Sequence, residues 1–301
     1  MALSPAATQR GMFAFLCLVW GTTWLAMKAG VSEVPPGLFS GLRWSAAGAV
    51  LLAIRAVRGD PIRVSPRLFG RLLFVSVMMI SVNAVIMLYG LRHITSGLAA
   101  VLSSALTPVA LLGFAAMLGQ ERFSTRHLGA LALGVAGILL LFGPKAAVGE
   151  LDTLELLGAL GVVVGNLSYC FASVLSRPLM RSISPTHLVA LTNFMGGVVL
   201  LVGSLLFEPG ARAAMRLDWG ATAWIAWWYL LLPGSLGATI IYFRLVRDWG
   251  AGRTGTYAFI SPVVAVLLGI TWFGERVGLM DALGMTLMLG AAGLALRRTA
   301  S

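Results

Sequence analysis

Two stretches of this 301-residue chain carry the same pattern and decide its fold. They read TPVALLGFAAMLGQER at positions 107–122 and SPVVAVLLGITWFGER at positions 261–276. In each stretch a hydroxyl residue precedes a proline, a mostly apolar span follows, and a Glu-Arg pair stands thirteen residues after the proline. Glu121 and Glu275 therefore occupy equivalent positions. Equal spacing of the same features predicts that the chain is an internal duplication.

Apolar residues dominate the whole chain. Hydrophobic residues make up 58% and charged residues 11%, and the mean hydropathy is +0.91. A typical soluble domain has about 25% charged residues, so lipid must solvate most of this surface. The sequence predicts an all-α integral membrane protein of ten transmembrane helices, each about 17–25 residues long. The predicted helices are Met12–Val31, Gly37–Val57, Arg71–Leu91, Ser96–Leu118, His127–Gly143, Leu154–Leu175, Pro185–Phe207, Trp219–Tyr242, Gly252–Phe273 and Leu279–Leu296.

The duplication divides these helices into two repeats of five, residues 1–145 and residues 146–301. Because five crossings are an odd number, the second repeat must lie upside down relative to the first. Inverted repeats let many secondary transporters expose one site near the membrane midplane to each side in turn. The sequence therefore predicts two inverted five-helix repeats and favours an alternating-access carrier, although channels and membrane enzymes can carry repeats too.

The basic residues indicate how the helices are oriented. With the N-terminus inside, fifteen of the 22 Lys and Arg residues fall on the cytoplasmic side, where such residues collect. The other side keeps Lys28, Arg43, Arg92, Lys145, Arg212, Arg216 and Arg276. This bias predicts a multi-pass protein of the bacterial inner membrane with both termini in the cytoplasm. The basic residues form no amphipathic stripe with interleaved aromatic residues, so we expect no nucleic-acid partner.

No signature of ATP hydrolysis or of metal-dependent catalysis is found in the sequence. It has no G-x-x-x-x-G-K-[ST] loop, no H-E-x-x-H motif and no paired Cys–His spacing. Cys17 and Cys170 each lie inside an apolar run, as buried inert thiols do. We expect a protein that is not an enzyme and that needs no cofactor or metal. The alternative is an intramembrane enzyme whose catalytic residues converge from distant helices.

Transport needs a polar, partly aromatic cavity, and several side chains recur at helical spacing in a way that would line one. An amide in hydrocarbon is costly unless it finds a partner or faces water, so Asn83 and Asn166 are the strongest candidates. The alternatives are helix–helix hydrogen bonding for the amides and plain packing for the Trp and Met residues. The predicted substrate-binding residues are Trp20, Thr23, Trp24, Met27, Arg43, Asn83, Met87, Ser104, Asn166, Tyr169 and Tyr257.

Two basic residues, Lys28 and Arg43, lie near the outer ends of the first two predicted helices. Long basic side chains near a helix end often extend to the membrane interface, and this snorkelling would explain both positions. The competing hypothesis is that Arg43, about 9 Å along its helix at roughly 1.5 Å per residue, binds the carboxylate of an amino acid.

Pro108 and Pro262 fall inside the fourth and ninth predicted helices. A proline there lacks an N–H and clashes with the carbonyl four residues back. We predict hinges at both prolines, and a static kink is an equally supported alternative. Pro233-Gly234 interrupts the eighth predicted helix and has no evident counterpart in the third.

Together these motifs resemble those of the EamA-type members of the drug/metabolite transporter superfamily. The resemblance implies ten helices in two inverted five-helix repeats. Similarity to bacterial exporters of aromatic amino acids implies export of amino acids across the inner membrane. The matching pieces are Trp20-Gly21-Thr22-Thr23-Trp24, Ala105–Pro108 with Gly119-Gln120-Glu121, and Ser261-Pro262 with Gly274-Glu275.

The expected cargo follows from the cavity and from the missing acids. Aromatic walls suit aromatic and other apolar amino acids, and they suit lipophilic drugs equally well. No Asp or Glu lies in the middle of a predicted span, so the usual carboxylate proton relay is missing. We expect an amino-acid exporter driven by the cargo's own gradient, or coupled in a way that the sequence does not show, with a multidrug exporter as the alternative. Its partners would be amino acids and membrane lipid, and the sequence leaves the oligomeric state open, with a monomer as one option.

Overall fold

The structure of the chain, a computed structural model, describes residues 5–59, 64–120, 129, 132–140, 152–249 and 257–296. Within these ranges the regular secondary structure is helical, without a strand. The long helices are α1 (Pro5–Glu33), α2 (Pro36–Val57), α3 (Pro66–Ser76, Val77–Val82 and Asn83–Leu91 in succession), α4 (Ser96–Met117), α5 (132–140), α6 (Thr153–Ser176), α7 (Pro185–Phe207), α8 (Ala221–Tyr229, Leu230–Gly237 and Ala238–Trp249 in succession), α9 (Tyr257–Phe273) and α10 (Leu279–Leu296). A 3-10 helix, Arg177–Arg181, follows α6 directly, and a one-turn helix, Ala211–Ala214, lies between α7 and α8.

The described helices identify a multi-pass membrane protein. Seven of them are long and apolar enough to cross a bilayer, and α9 and α10 contribute the shorter apolar helices Ile260–Phe273 and Leu279–Ala291. The fifth predicted helix is described only over residues 129 and 132–140, so the total of ten crossings stays a prediction. The seven spans are Thr8–Glu33, Pro36–Val57, Leu68–Leu91, Ser96–Met117, Thr153–Met180, Pro185–Phe207 and Ala221–Tyr242.

Several helices begin at residues whose side chains satisfy the free N–H groups of the first turn. The Thr95 hydroxyl accepts a hydrogen bond from the backbone N–H of Leu98 at 3.2 Å at the start of α4. The Asp152 carboxylate accepts one from Leu154 N at 2.9 Å at the start of α6. A proline at the first position starts α2, α3 and α7, where its missing N–H costs nothing. These signals fix the helix starts from local sequence.

The third helix of each half contains a π-helical segment in its middle. Val77–Val82 forms one in α3, and Leu230–Gly237, which includes Pro233, forms the other in α8. Side chains from the opposite half reach carbonyls of both segments: Ser168 Oγ donates to Met78 O at 2.7 Å, and Trp20 Nε1 donates to Gly234 O at 3.3 Å. The interruption at Pro233 in α8 therefore has a structural counterpart in α3, which the sequence of α3 does not indicate.

Contacts between the helices of the two halves are preserved when the halves are exchanged. The helix α2 packs along its counterpart α7, and α4 packs against its counterpart α9. The contact of α3 with α6 is matched by that of α8 with α1, and α4–α6 is matched by α9–α1. Two related halves that face each other would pack in this way.

Glycines allow α2 and α7 to touch backbone to backbone. A Cβ atom at Gly48 would lie 2.3 Å from Phe194 N, and one at Gly197 would lie 2.3 Å from Ser45 N. Side chains larger than hydrogen would force these helices apart, as at other small-residue interfaces in membranes. This contact fixes the position of α2 in the bundle.

The two repeated stretches end their helices in the same way. Gly119 and Gly274 both have positive φ angles, 66° and 62°, a conformation that glycine adopts without strain at a helix C-terminus. The helix α9 continues through Pro262. Glu121 and the side chain of Pro108 lie outside the described residues, so the hinge role of the two prolines stays a prediction.

Candidate functional site

A cavity of about 470 Å³ lies among α1, α3, α4, α6, α8 and α9. A second cavity of about 360 Å³ extends toward α2 and α7. Seven residues line both, so we treat the two as parts of one central chamber. The shared residues are Trp20, Thr23, Met27, Asn83, Met87, Tyr169 and Tyr242.

The structure brings all eleven predicted substrate-binding residues to the wall of this chamber. Ten line the larger cavity, and Arg43 lines the smaller one. Their placement is as expected, while their role in binding cargo stays a prediction. The ten are Trp20, Thr23, Trp24, Met27, Asn83, Met87, Ser104, Asn166, Tyr169 and Tyr257.

Three aromatic rings pack into one wall of the larger cavity. The ring centroid of Trp20 lies 4.5 Å from that of Tyr257 and 5.4 Å from that of Tyr242, and the two tyrosine rings are 5.9 Å apart. These separations fall in the range of favourable edge-to-face and offset contacts. The wall joins α1, α8 and α9, and its inclined rings offer aromatic faces and edges to a ligand.

The two predicted amides connect neighbouring helices while they line the chamber. Asn83 Nδ2 donates to Gly165 O at 2.8 Å, which joins α3 to α6. Asn166 Nδ2 donates to Ser103 O at 3.1 Å and contacts the Thr107 hydroxyl at 3.1 Å, which joins α6 to α4. Helix–helix hydrogen bonding, the alternative drawn from the sequence, is therefore present for both amides.

Arg43 is a buried cation without a polar partner among the described residues. Its relative exposure is 6%, so it does not extend to the interface, and the snorkelling interpretation is wrong for it. Its Nε is buried without a hydrogen bond. The guanidinium carbon lies 4.3 Å from the centroid of the Trp44 ring, and that stacking is the contact the structure gives it. Buried charges are usually paired, so this arrangement is unusual.

Lys28, by contrast, forms an ion pair. Its Nζ lies 3.2 Å from Glu275 Oε1 and donates to Ile94 O at 2.9 Å. The Lys28 side chain is 27% exposed and that of Glu275 is 6% exposed. Both partners lie in connections beyond helix ends, so extension of Lys28 toward the membrane interface stays a prediction.

Glu275 gathers several donors around its carboxylate. It accepts hydrogen bonds from the backbone N–H of Ser96 at 2.9 Å and from the Ser96 hydroxyl at 3.0 Å. The carboxylate thus lies at the N-terminus of α4, where the helix dipole favours negative charge. We call Lys28, Ser96 and Glu275 the polar latch. It joins α1, α4 and the connection from α9 to α10. In α1 it begins at the residue directly after Met27, which lines the chamber.

Some lining residues were not identified from the sequence. Tyr242 was placed at the very end of a predicted helix, whereas α8 continues to Trp249 and brings the ring into the chamber. Asn193 lies in the middle of the seventh predicted helix and lines the smaller cavity. The cost of a buried amide, which selected Asn83 and Asn166, would also have selected Asn193.

Metal binding finds no support in the part of the chain that the structure describes. No group of three or more His, Cys, Asp or Glu side chains there could hold a metal ion. Cys17 and Cys170 are both free and buried. The chamber wall offers hydroxyls, amides, aromatic rings and one guanidinium, which bind and orient a small molecule.

Comparison with known proteins places the chain in a family. Residues 10–143 and 156–297 each match the EamA-like transporter family. The chain is 29% identical over 278 residues to the "Uncharacterized inner membrane transporter YedA" of Escherichia coli (strain K12), covering 92% of this chain and 86% of that protein. It is also 29% identical over 274 residues to the "Uncharacterized transporter YoaV" of Bacillus subtilis (strain 168), with 90% of each covered.

A solved crystal structure supports the fold. It has 23% sequence identity to this chain and a TM-score of 0.64, and the match covers 96% of both chains. At this identity the likeness concerns the fold alone. The two family matches together span most of the sequence. The chain therefore belongs to the EamA-like transporter family, and it is a multi-pass membrane transporter.

Proposed function

We propose that this protein is an alternating-access carrier of the bacterial inner membrane that exports amino acids with aromatic or other apolar side chains, or similar small metabolites. The observation that carries the proposal is the central chamber. Its two parts, about 470 Å³ and about 360 Å³, fall in the range of about 300–1,000 Å³ that small-molecule sites occupy. Aromatic rings, amides and hydroxyls share its wall, as binding of an amphipathic cargo requires.

The charge of the chamber favours amino acids over lipophilic drug cations. Among the described lining residues there is one cation, Arg43, and neither an Asp nor a Glu. A drug cation would meet like charge and no counter-charge, which opposes its entry into a site of low dielectric constant. A molecule with a carboxylate would meet a complementary charge. The multidrug alternative therefore has the weaker support.

Alternating access draws its support from the packing of the two halves. Contacts between helices are preserved when the halves are exchanged, and both third helices contain a π segment at the chamber. Inverted five-helix repeats over residues 1–145 and 146–301 would produce this pattern, and they would place the chamber at the interface between repeats. Opening the polar latch would expose the chamber on the side that the charge bias assigns to the outside.

The remaining features of the proposal follow from the same chamber and from the loops. Without an acid in the described lining, a carboxylate proton relay has no residue to use, so the cargo's own gradient would drive transport. Both termini would lie in the cytoplasm, on the side with more Arg and Lys. The membrane location is also that given in the name of the Escherichia coli relative. Nothing in the proposal requires more than a monomer.

Counterflow in proteoliposomes tests the proposal. Purified protein is reconstituted with unlabelled Phe, Trp, Met or Thr trapped inside and labelled amino acid outside, without a pH gradient. We expect transient accumulation of label with the aromatic amino acids. Failure of every amino acid, together with counterflow of a lipophilic cation, would replace the proposal with the multidrug alternative. A strict need for a proton gradient would overturn the facilitative mechanism.

A further inference from the structure

We infer that Arg43 and the neutral polar residues around it form a carboxylate-binding subsite, and that the chamber wall, as far as the structure describes it, has no carboxylate to bind an ammonium group. The cargo class is then small aromatic or apolar monocarboxylates in general, with amino acids as one group among them. This inference rests on the proposed function for the identity of the chamber. It goes further because it names the group on the cargo that is recognised and the group that is not.

Arg43 carries a charge that no described residue compensates. The guanidinium is buried and stacks on Trp44, and no described residue forms an ion pair or a hydrogen bond with it. A charge held away from water without a partner is costly. A chain that keeps such a charge at the wall of a cavity gains the missing partner when an anion binds. The arrangement is therefore a preformed half of an ion pair.

The anion that suits Arg43 best is a single carboxylate. A guanidinium presents paired N–H donors in a plane, which match the two oxygens of a carboxylate. A single Arg balances a single negative charge, whereas a dianionic phosphate would bring a second negative charge that no described lining residue compensates. Neutral donors that line the same cavity can satisfy the remaining oxygen lone pairs. They are Asn193, Ser235 and Thr239, whereas the Thr192 hydroxyl on the same wall already donates to Leu188 O at 2.9 Å.

The aromatic wall can contact the apolar part of the cargo. Trp20 and Tyr242 line both parts of the chamber, so the aromatic wall borders the space that Arg43 faces. A ligand with its carboxylate on Arg43 can therefore lay an aromatic or branched apolar group against that wall. Rings stack there through dispersion and edge-to-face contacts.

The amino group of an amino-acid cargo has no charged partner among the described lining residues. Among the described lining residues no carboxylate is present to bind an ammonium ion. The aromatic wall, the amide and hydroxyl oxygens of the lining and the carbonyls of the π segments offer an ammonium ion neutral contacts and no ion pair. Removing the amino group from the ligand thus removes little binding, and it also removes a positive charge that Arg43 repels.

Binding of 3-phenylpropanoate to the purified full-length protein tests this inference. The change in tryptophan fluorescence is a suitable readout because Trp20, Trp24 and Trp44 line the chamber. The comparison ligands are 3-phenylpropanamide, 2-phenylethylamine and phenyl phosphate. We expect 3-phenylpropanoate to bind at least about tenfold more tightly than the other three, because it alone presents one carboxylate to the guanidinium.

Variants locate the binding to Arg43. Arg43→Gln is expected to weaken 3-phenylpropanoate at least about tenfold, and Arg43→Lys is expected to weaken it less because the charge is kept without the planar pair of donors. The control is Arg212→Gln, whose Nε donates to Leu205 O away from the chamber. Gel filtration and circular dichroism check that each variant is folded. Because Arg43→Lys preserves the charge, it supplies a second reading if Arg43→Gln fails to fold.

Three results would overturn the inference: no binding of 3-phenylpropanoate by the wild type, equal binding of the amide, or unchanged binding by Arg43→Gln and Arg43→Lys. Because binding is measured without flux, its failure is distinct from failure of the carrier. A protein that binds the carboxylate through Arg43 but shows no amino-acid counterflow would lose the proposed function alone. Counterflow of phenylalanine that is unaffected by Arg43→Gln would remove only the inference.

Discussion

Lys28 and Arg43 are two basic side chains with opposite surroundings in neighbouring helices. Lys28 reaches Glu275 at 3.2 Å and the carbonyl of Ile94 at 2.9 Å. Arg43 is more deeply buried, and among the described residues it has the Trp44 ring beside it and no acid. The charge of Lys28 is balanced by Glu275 within the fold. Arg43 has no such partner among the described residues, and it lines a cavity.

This difference distinguishes a charged side chain that stabilises the helix packing of a membrane protein from one that is available to bind a ligand. A charge that finds its partner within the fold stabilises that arrangement of helices, and its loss should affect stability first. A charge that the fold leaves without a partner lowers the stability of the fold until a ligand arrives. Its loss should therefore affect transport first. Both residues have the same basic character in the sequence, so only the structure distinguishes them.

The largest effect is expected from Arg43→Gln. We expect the rate of phenylalanine counterflow per folded protein to fall roughly tenfold to a hundredfold, since a charge-assisted pair of hydrogen bonds to the carboxylate is lost. The melting temperature should stay the same or rise, because an uncompensated buried charge is removed. Proteoliposome counterflow and thermal unfolding in detergent measure the two. Arg212→Gln is the control, and a large loss of stability in Arg43→Gln would erase the contrast with Lys28.

Glu275→Gln should give the reverse pattern. It leaves Lys28 without its counter-charge and weakens the cap at the start of α4, so we expect the free energy of unfolding to fall by roughly 1–3 kcal/mol. Thermal unfolding of the detergent-purified protein measures it. Adding Lys28→Met to the same chain should restore part of that loss. Equal unfolding temperatures for the single and double variants would show that the ion pair does not couple the two residues.

A smaller effect is expected from Trp44→Leu. The substitution keeps an apolar side chain but removes the ring over which the guanidinium lies, so Arg43 loses about 0.5–2 kcal/mol of stacking. We expect 3-phenylpropanoate to bind about three- to tenfold more weakly because Arg43 is held less firmly. Titration of binding by calorimetry, which does not depend on tryptophan emission, measures the change. Unaltered affinity would mean that Trp44 does not position Arg43.

The smallest effect is expected from Glu208→Gln, which tests a carboxylate that caps a helix without a cation. Glu208 accepts from the backbone N–H groups of Gly37 at 3.0 Å and Leu38 at 3.1 Å at the start of α2. The hydroxyls of Tyr89, at 2.8 Å, and of Ser204 also donate to this carboxylate. A glutamine keeps one acceptor oxygen for these donors, so the free energy of unfolding should fall by about 0.5–1.5 kcal/mol, less than in Glu275→Gln, where an ion pair is lost as well. Thermal unfolding beside Glu275→Gln measures the difference, and a larger loss in Glu208→Gln would reverse the proposed ranking.

Many residues of the chamber wall were predictable because their spacing along single helices places them on one face. Trp20, Thr23, Trp24 and Met27 follow three- and four-residue steps along α1, and this spacing alone placed them on one face. The cost of an amide in hydrocarbon selected Asn83 and Asn166 in the same way. The predicted starts at Gly37 and Pro185 lie within one residue of the observed ones, whereas α3 begins at Pro66, five residues before the predicted Arg71. These features depend on neighbours along the chain, which the sequence shows directly.

Features that depend on distant residues were not predictable. Lys28 and Glu275 are 247 positions apart, and nothing near either residue indicates that they meet. The π segment Val77–Val82 contains neither proline nor glycine, so its sequence reads as an ordinary apolar helix. The burial of Arg43 likewise depends on α7 and α8 packing around α2. Snorkelling was the natural interpretation of a lone cation near a helix end, and tertiary packing overrides it.

A structure of the protein with 3-(4-iodophenyl)propanoate is the most direct test of the two roles, binding of the cargo by Arg43 and stabilisation of the fold by Lys28. We expect the carboxylate within hydrogen-bond distance of the Arg43 guanidinium, the iodine beside the wall of Trp20, Tyr242 and Tyr257, and the ion pair of Lys28 with Glu275 intact. Iodine density outside the central chamber, or a carboxylate bound to Lys28 in place of Glu275, would contradict the assignment of Arg43 to the cargo and of Lys28 to the fold.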